Sequence, residues 1–270
     1  MKQDESTTQS IVMKSEIFDT HCHIQFDDYG LDPADVIESA RLAGVTRMMA
    51  VGCSLHDSQQ AIEMASKYDN VWASIGLHPH EASRYVDDES AIQSFRGKAT
   101  SPKVVAIGET GLDYFYNHSS KEDQKKMLRL QLDIASQHDL ALIFHIREAF
   151  DDFWEIFDTY KGIRGVVHSF TAGPKELAQV LERGLYVGLN GIITFTKNIE
   201  QLEAIKSMPL QSILLETDAP FLTPVPLRGT ICSPEHARLT AEFLAKLRDE
   251  SIELVASVTT QNALNLFRIK

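Results

Sequence analysis

From Ile17 onward, short apolar runs alternate with amphipathic stretches. The runs are Ile17–Thr20, Arg47–Gly52, Val71–Leu77, Val104–Gly108, Ala141–His145, Gly165–His168, Leu185–Leu189 and Ser212–Thr217. They are rich in Val, Ile and Leu and lack strict alternation, the pattern of strands buried on both faces. Helical patterns lie between them. Asp32-Pro33 opens one, with Asp as N-cap and Pro in the first turn, and Gly44 closes it. Lys121–His138 sets Met127, Leu128, Gln131, Leu132 and Ala135 on one stripe. Pro174–Glu182 runs to Gly184, and Pro234–Arg248 and Ile252–Phe267 complete the chain. Eight strands alternating with helices predict an α/β fold of the (β/α)8 TIM-barrel type, with residues 16–270 as one domain. An open doubly wound sheet would carry a Gly-rich phosphate loop after its first strand. Here that strand ends in His21-Cys22-His23.

Composition narrows the picture. The 270 residues are 43% hydrophobic, enough for one large core. Met1–Ser15 is polar and reads as a loose tail without the apolar stretch of a secretory signal. No apolar run approaches the roughly 20 residues of a membrane helix, so no membrane association is expected. Cys22, Cys53 and Cys232 form no CxxC motif, which fits a reducing cytoplasm rather than a disulfide framework. The net charge of −12 comes with no basic run, which argues against bulk binding of duplex nucleic acid. It leaves a phosphate substrate open, because two bound divalent cations would add about four positive charges locally.

Polar residues recur where the predicted strands end. His21 and His23 are two apart, so in a strand both point to one side while Cys22 points to the other. Glu109 follows Val104–Gly108, His145 and His168 end their runs, and Asp218 follows Ser212–Thr217. Barrel active sites are assembled from the C-terminal ends of several strands. A single such residue reads as a polar cap; six gathered at one end predict bound metal, since burying them together without a cation is costly. The donors are imidazole nitrogen and carboxylate oxygen without thiolate, compatible with Mg, Mn, Zn, Fe or Ni. Six ligands are too many for one catalytic cation with an open position. Two cations bridged by Glu109 would use them, with Asp218 both binding metal and accepting the proton of the attacking water.

With these residues in place, the sequence resembles the TatD family of metal-dependent hydrolases from about Ile17 to Phe267. The resemblance rests on Asp19-Thr20-His21-Cys22-His23, Gly76-Leu77-His78-Pro79-His80, Gly108-Glu109-Thr110-Gly111-Leu112-Asp113-Tyr114, His145-Ile146-Arg147-Glu148-Ala149, Val167-His168-Ser169-Phe170-Thr171-Ala172-Gly173 and Leu215-Glu216-Thr217-Asp218-Ala219-Pro220. It implies the barrel, two divalent metals and the ligand roles of His21, His23, Glu109, His145, His168 and Asp218. For many members it also implies phosphodiester cleavage as magnesium-dependent deoxyribonucleases. One block departs from the family pattern. After Arg228-Gly229 a basic pair and Asn-Glu are replaced by Thr230, Ile231, Cys232 and Ser233.

Outside the six, His78, Arg147 and Arg228 are the candidates for substrate contact. His78 follows the third strand; Arg147 sits two residues past His145, placed to clamp a phosphate or to pair with Glu148 or Asp113; Arg228 is the basic residue that remains in the altered loop. The sequence therefore predicts a metal-dependent phosphodiesterase acting on DNA ends or single-stranded DNA, with no obligate protein partner. The altered loop and the acidic charge keep a second reading: hydrolysis of a small amide, ester, lactone or phosphoester.

Overall fold

Eight parallel strands surround a common axis in the computed structural model, which describes residues 16–116 and 118–270. The expected tail, Met1–Ser15, lies outside the described residues. The strands are β1 (Ile17–Cys22), β2 (Val45–Val51), β3 (Val71–Ile75), β4 (Val104–Asp113), β5 (Ala141–Arg147), β6 (Gly165–Val167), β7 (Tyr186–Leu189) and β8 (Ile213–Leu215), hydrogen-bonded in sequence order. The helices are α1 (Pro33–Ala43), α2 (Leu55–Lys67), α3 (Ala82–Tyr85), α4 (Glu89–Lys98), α5 (Lys121–His138), α6 (Phe150–Phe157), α7 (Pro174–Glu182), α8 (Ile199–Ser207), α9 (Ala237–Arg248) and α10 (Ile252–Phe267). This is the (β/α)8 barrel that the alternating pattern predicts.

Local chemistry sets the element ends. Asp32 accepts a hydrogen bond from Ala34 N at 2.8 Å to start α1, and Gly44, at φ 91°, stops it in the left-handed region. Pro234–His236 forms a short 3-10 turn ahead of α9, so the predicted continuous helix begins three residues later. Strand β4 continues to Asp113, five residues past the apolar run. Its extension pairs Gly111 with His145 and Asp113 with Arg147. Gly111 has φ 153°, and a Cβ there would lie 1.8 Å from the carbonyl oxygen of His145. Only glycine admits that approach. Hydrophobic patterning cannot see the extension, because it is built from Glu109, Thr110, Gly111 and Asp113.

Strand parity decides what faces the axis. Along β5, Phe144 packs against Phe153 and Phe157 of α6, while Ile143 joins an interior cluster with Phe18, Met49, Val51, Val166 and Leu214. His145, two residues beyond Ile143, shares the inward side. The same step leads from Val166 to His168 and from Leu214 to Glu216. The interior cluster also takes in Ala263, Leu266 and Phe267 of α10. The polar ends of the strands therefore sit above an apolar layer.

β1 and β8 meet through a seam rather than a full ladder. Thr20 Oγ1 donates to the Leu215 carbonyl at 3.0 Å. Asp19, fully buried, accepts from Thr217 N at 2.9 Å and from Thr217 Oγ1 at 2.6 Å. Past β8 the backbone takes over, with Asp218 N bonded to the His21 carbonyl at 2.8 Å and His23 N to the Ala219 carbonyl at 2.7 Å. Burial pushes the Asp19 carboxyl up to about 8, against the opposing effect of its Thr217 and His21 hydrogen bonds.

Candidate metal centre

The six residues singled out at strand ends converge at the C-terminal mouth of the barrel around Glu109. One oxygen of Glu109, Oε2, lies 3.4 Å from His21 Nε2 and 3.9 Å from His23 Nε2. The two imidazole nitrogens are 3.1 Å apart, and Asp218 Oδ1 lies 3.6 and 3.4 Å from them. The other oxygen, Oε1, lies 2.8 Å from both His145 Nδ1 and His168 Nε2, which are 3.4 Å from each other. His78 Nε2 also approaches Oε1, at 3.4 Å.

These spacings test the fit to a cation. Ligand atoms about 2.0–2.2 Å from a tetrahedral ion lie roughly 3.3–3.6 Å from one another. His21 Nε2, His23 Nε2 and Glu109 Oε2 lie 3.1–3.9 Å from one another, near that edge length, with Asp218 Oδ1 3.4–3.6 Å from the two imidazoles, whereas His145, His168 and Glu109 Oε1 sit closer, 2.8–3.4 Å apart. Both groups consist of nitrogen and carboxylate oxygen, the donor set of a hydrolytic centre. Glu109 is common to the two, one oxygen in each.

The groups perturb one another strongly. Burial pushes the Glu109 carboxyl up, but the imidazoles around it, His168 first, reverse this and hold it well below the usual carboxylate range. Burial pulls the His168 imidazolium down, and Glu109 outweighs it, leaving the group well above its ordinary value. His145 is also raised, with Asp113 and Glu109 overcoming its burial. His21 goes down through burial and the neighbouring His168, and His78 is driven by burial to about 4. Asp218 is lowered: burial opposes the shift, and His23, His21 and His168 prevail. A buried nest of carboxylates and imidazoles sharing protons is a site that a cation can take over by displacing them.

The non-centre nitrogens of two rings, His23 and His145, have hydrogen-bond acceptors, and that of His168 has only a carboxylate nearby. His23 Nδ1 faces the Val51 carbonyl at 2.8 Å. His145 Nε2 faces Asp113 Oδ2 at 2.9 Å, and His80 Nε2 shares that oxygen at 3.0 Å. His168 Nδ1 faces Glu216 Oε1 at 3.7 Å. Such contacts fix which nitrogen is left free for a metal. Asp113 is itself pinned, taking the N–H groups of Phe115 and Tyr116 on Oδ1 while Gln124 of α5 bonds its backbone N–H and carbonyl. Asp113 and Glu216 escaped the sequence reading as parts of the site, and so did Cys53, whose Sγ lies 3.6 Å from Glu109 Oε2. Their one signal was a polar residue beside a ligand in a strand-end run. Cys22 points away from the centre, with Sγ 3.3 Å from the Met49 carbonyl, as its strand parity predicts.

The centre floors a cleft of about 850 Å³ whose wall includes His80, Tyr116, Arg147, Ile192 and Phe221. Arg147 reaches it, with its guanidinium 4.2 Å from the Phe115 ring centroid and 4.9 Å from that of Tyr116. The expected alternative pairing with Glu148 or Asp113 gives way to this aromatic support. Arg228 is not brought to the cleft wall. It donates to the Thr223 carbonyl at 2.7 Å and lies 3.8 Å over the Phe195 ring, bracing the altered loop. Among the described residues, no helix is long and apolar enough to cross a membrane.

The chain is similar to known proteins over nearly its whole length. The family model described as TatD related DNase matches residues 18–268. The "uncharacterized metal-dependent hydrolase YabD" of Bacillus subtilis is 36% identical over 255 residues, covering 94% of this chain and 99% of that protein. The "3'-5' ssDNA/RNA exonuclease TatD" of Salmonella typhimurium is 32% identical over 261 residues, with coverage of 94% and 99%. Among solved structures, the TatD homologue YJJV of Escherichia coli K12 superposes with a TM-score of 0.88 at 28% identity, covering 95% of this chain and 99% of that one.

Proposed function

Because the chain belongs to the TatD family of metal-dependent hydrolases, we propose that it is a two-cation phosphodiesterase acting on the ends of single-stranded nucleic acid. The observation that carries this reading is the divided carboxylate of Glu109, with one oxygen among His21, His23 and Asp218 and the other among His145 and His168. Two divalent cations held there would supply Lewis-acid charge and a nucleophile from water near neutral pH.

The chain's own residues do the rest. His21, His23 and Asp218 would hold one cation, His145 and His168 the other, and Glu109 would serve both. Asp218 has its side chain 16% exposed, against 5% for Glu109, so it is the more open of the two acidic ligands on the cleft floor. It accepts the proton of the attacking water at Oδ1 or Oδ2. His78, neutral with its pKa near 4, offers the phosphoryl group a ring N–H from the cleft wall. Arg147 orients a phosphate oxygen from its seat on Phe115 and Tyr116. A strand end suits the geometry, because the cleft is local and the surface as a whole is acidic. Three free thiols among the described residues suit a reducing cytoplasm.

Arg228, engaged with the Thr223 carbonyl and the Phe195 ring and absent from the cleft lining, favours the alternative, a small ester, amide, lactone or phosphoester as substrate. One experiment separates the two. Protein reconstituted with Mg, Mn, Zn, Fe or Ni is offered single-stranded DNA and RNA labelled at either end, beside a panel of small esters, lactams and phosphoesters. Stepwise shortening of the strands, absent in Asp218→Asn, is expected. Intact strands with every metal, alongside turnover of a small substrate, would replace the nuclease reading with the alternative.

A further inference from the structure

Three buried polar atoms lie on the far side of the centre without hydrogen-bond partners: His21 Nδ1, His168 Nδ1 and Glu216 Oε2. They belong together. The His21 and His168 rings stack with centroids 4.1 Å apart and planes 16° from parallel. One nitrogen or oxygen from each of the three residues lies within 4.8 Å of the others, and Glu216 Oε1 lies 3.7 Å from His168 Nδ1. Glu216 is fully buried. Its place is prepared: Oε1 accepts from Ser169 N at 2.6 Å and from Asn190 Nδ2 at 3.4 Å. Gly188 leaves room, since a Cβ there would lie 2.3 Å from Glu216 Oε2.

The trio resembles a cation site, but lone pairs decide against it. A neutral imidazole has one nitrogen lone pair and one N–H. If His168 turns the lone pair of Nε2 toward the centre, its proton sits on Nδ1. That N–H then points into a region closed to water, where an unpaired donor is costly. His21 is in the same position. Glu216 is the carboxylate that faces them, and it comes without a cation of its own.

Resting on the two-cation reading above, we propose that Glu216 is a positioning residue of the metal centre: it accepts the Nδ1–H of His168 and so holds the Nε2 of that ring toward Glu109. At 3.7 Å the pair stands just outside hydrogen-bond range, so the contact requires a small approach of ring and carboxylate with the proton on Nδ1. Gly188 is part of the device, because its missing side chain lets the carboxylate reach the ring.

The test compares wild type, Glu216→Gln and Gly188→Ala, each checked for fold by circular dichroism. Stepwise Mn or Zn binding is measured by calorimetry, and the ring N–H signals of 15N-histidine-labelled, Zn-loaded protein by NMR. Glu216→Gln should keep one cation at wild-type affinity and bind the other ~10–100-fold more weakly, with the His168 Nδ1–H signal shifted or lost. Gly188→Ala, which alters no ligand, should weaken the same cation by displacing the carboxylate. Either variant carries the comparison if the other does not fold. Binding of both cations within twofold of wild type, with the ring signal unchanged, would overturn the proposal and leave the two-cation reading standing. An equal loss at both positions, tracking a lower melting temperature, would overturn it too. Wild type that binds no divalent cation would bring down both.

Discussion

Asp113 grips His145 by the nitrogen that faces away from the centre, with Oδ2 2.9 Å from Nε2, and so presents Nδ1 to Glu109. The same oxygen also meets His80 Nε2 of the cleft wall at 3.0 Å. Asp113→Asn should therefore leave the fold in place and let the ring change tautomer. Affinity for the cation beside His145 should fall ~10–100-fold, the scale of an outer-shell loss. Calorimetric titration would read it, and kcat should fall with little change in KM.

Glu109→Gln tests the shared oxygen pair. The amide keeps the shape but offers one oxygen and one NH2 group, so at most one position retains an acceptor. Elemental analysis should find the content of bound metal reduced by at least one ion per chain. Activity should fall by about 10³-fold or more, as expected when preorganised charge is lost from a transition state. Retention of two ions would contradict a bridging role.

Proton release on metal binding should show the raised histidines. Burial alone would depress His168 and His145, but Glu109 and Asp113 hold them above their ordinary range. Below those raised values both rings carry a proton that a cation must displace. Affinity therefore falls as pH falls, and the proton release shrinks as pH rises through the folded-state values. His78, near 4, is already neutral at pH 7 and should contribute none. Calorimetry in buffers of different ionisation enthalpy counts the protons. A pH-independent affinity between pH 6 and 8 would be inconsistent with this account.

Gln131 offers a test away from the centre. From α5 it bonds both the N–H and the carbonyl of Leu77, each at 2.9 Å, at the start of the segment that carries His78. Gln131→Leu leaves two buried backbone groups without partners. The expected loss is roughly 2–6 kcal/mol, about 1–3 for each unsatisfied group, readable by urea unfolding. The segment should also loosen at His78 and raise KM more than it lowers kcat.

Much of this molecule was legible from one strand at a time. The runs that became β1 to β8 are apolar because both faces are covered, and the HxH spacing of His21 and His23 follows from strand parity. Gln131 appeared on the buried stripe of α5 by its period, although its partner Leu77 did not. What stayed hidden depends on neighbours across the sheet. Asp113 looked like a partner for Arg147, the residue it pairs with in register, yet its side chain goes to His145 and His80. Glu216 drew no reading of its own in the motif before Asp218, and its meaning comes from the stacked rings of His21 and His168. Arg228 held its place in the loop, and the Phe195 ring, far off in sequence, turned it aside.

The seam between β1 and β8 sets an order of events. Asp218 N meets the His21 carbonyl, and Asp19 meets Thr217, only after nearly the whole barrel between them has been made. Contacts of such sequence separation form late, because a long loop must close before they can stabilise anything. The proposed first metal position, which would draw on both His21 and Asp218, is completed by the same closure. A nascent chain stopped before β8 would hold His21, His23, Glu109, His145 and His168 but lack Asp218, the ligand that meets the seam. Metal uptake with full stoichiometry thus reports that the circle has closed, and a chain cut at residue 210 should fail to acquire it.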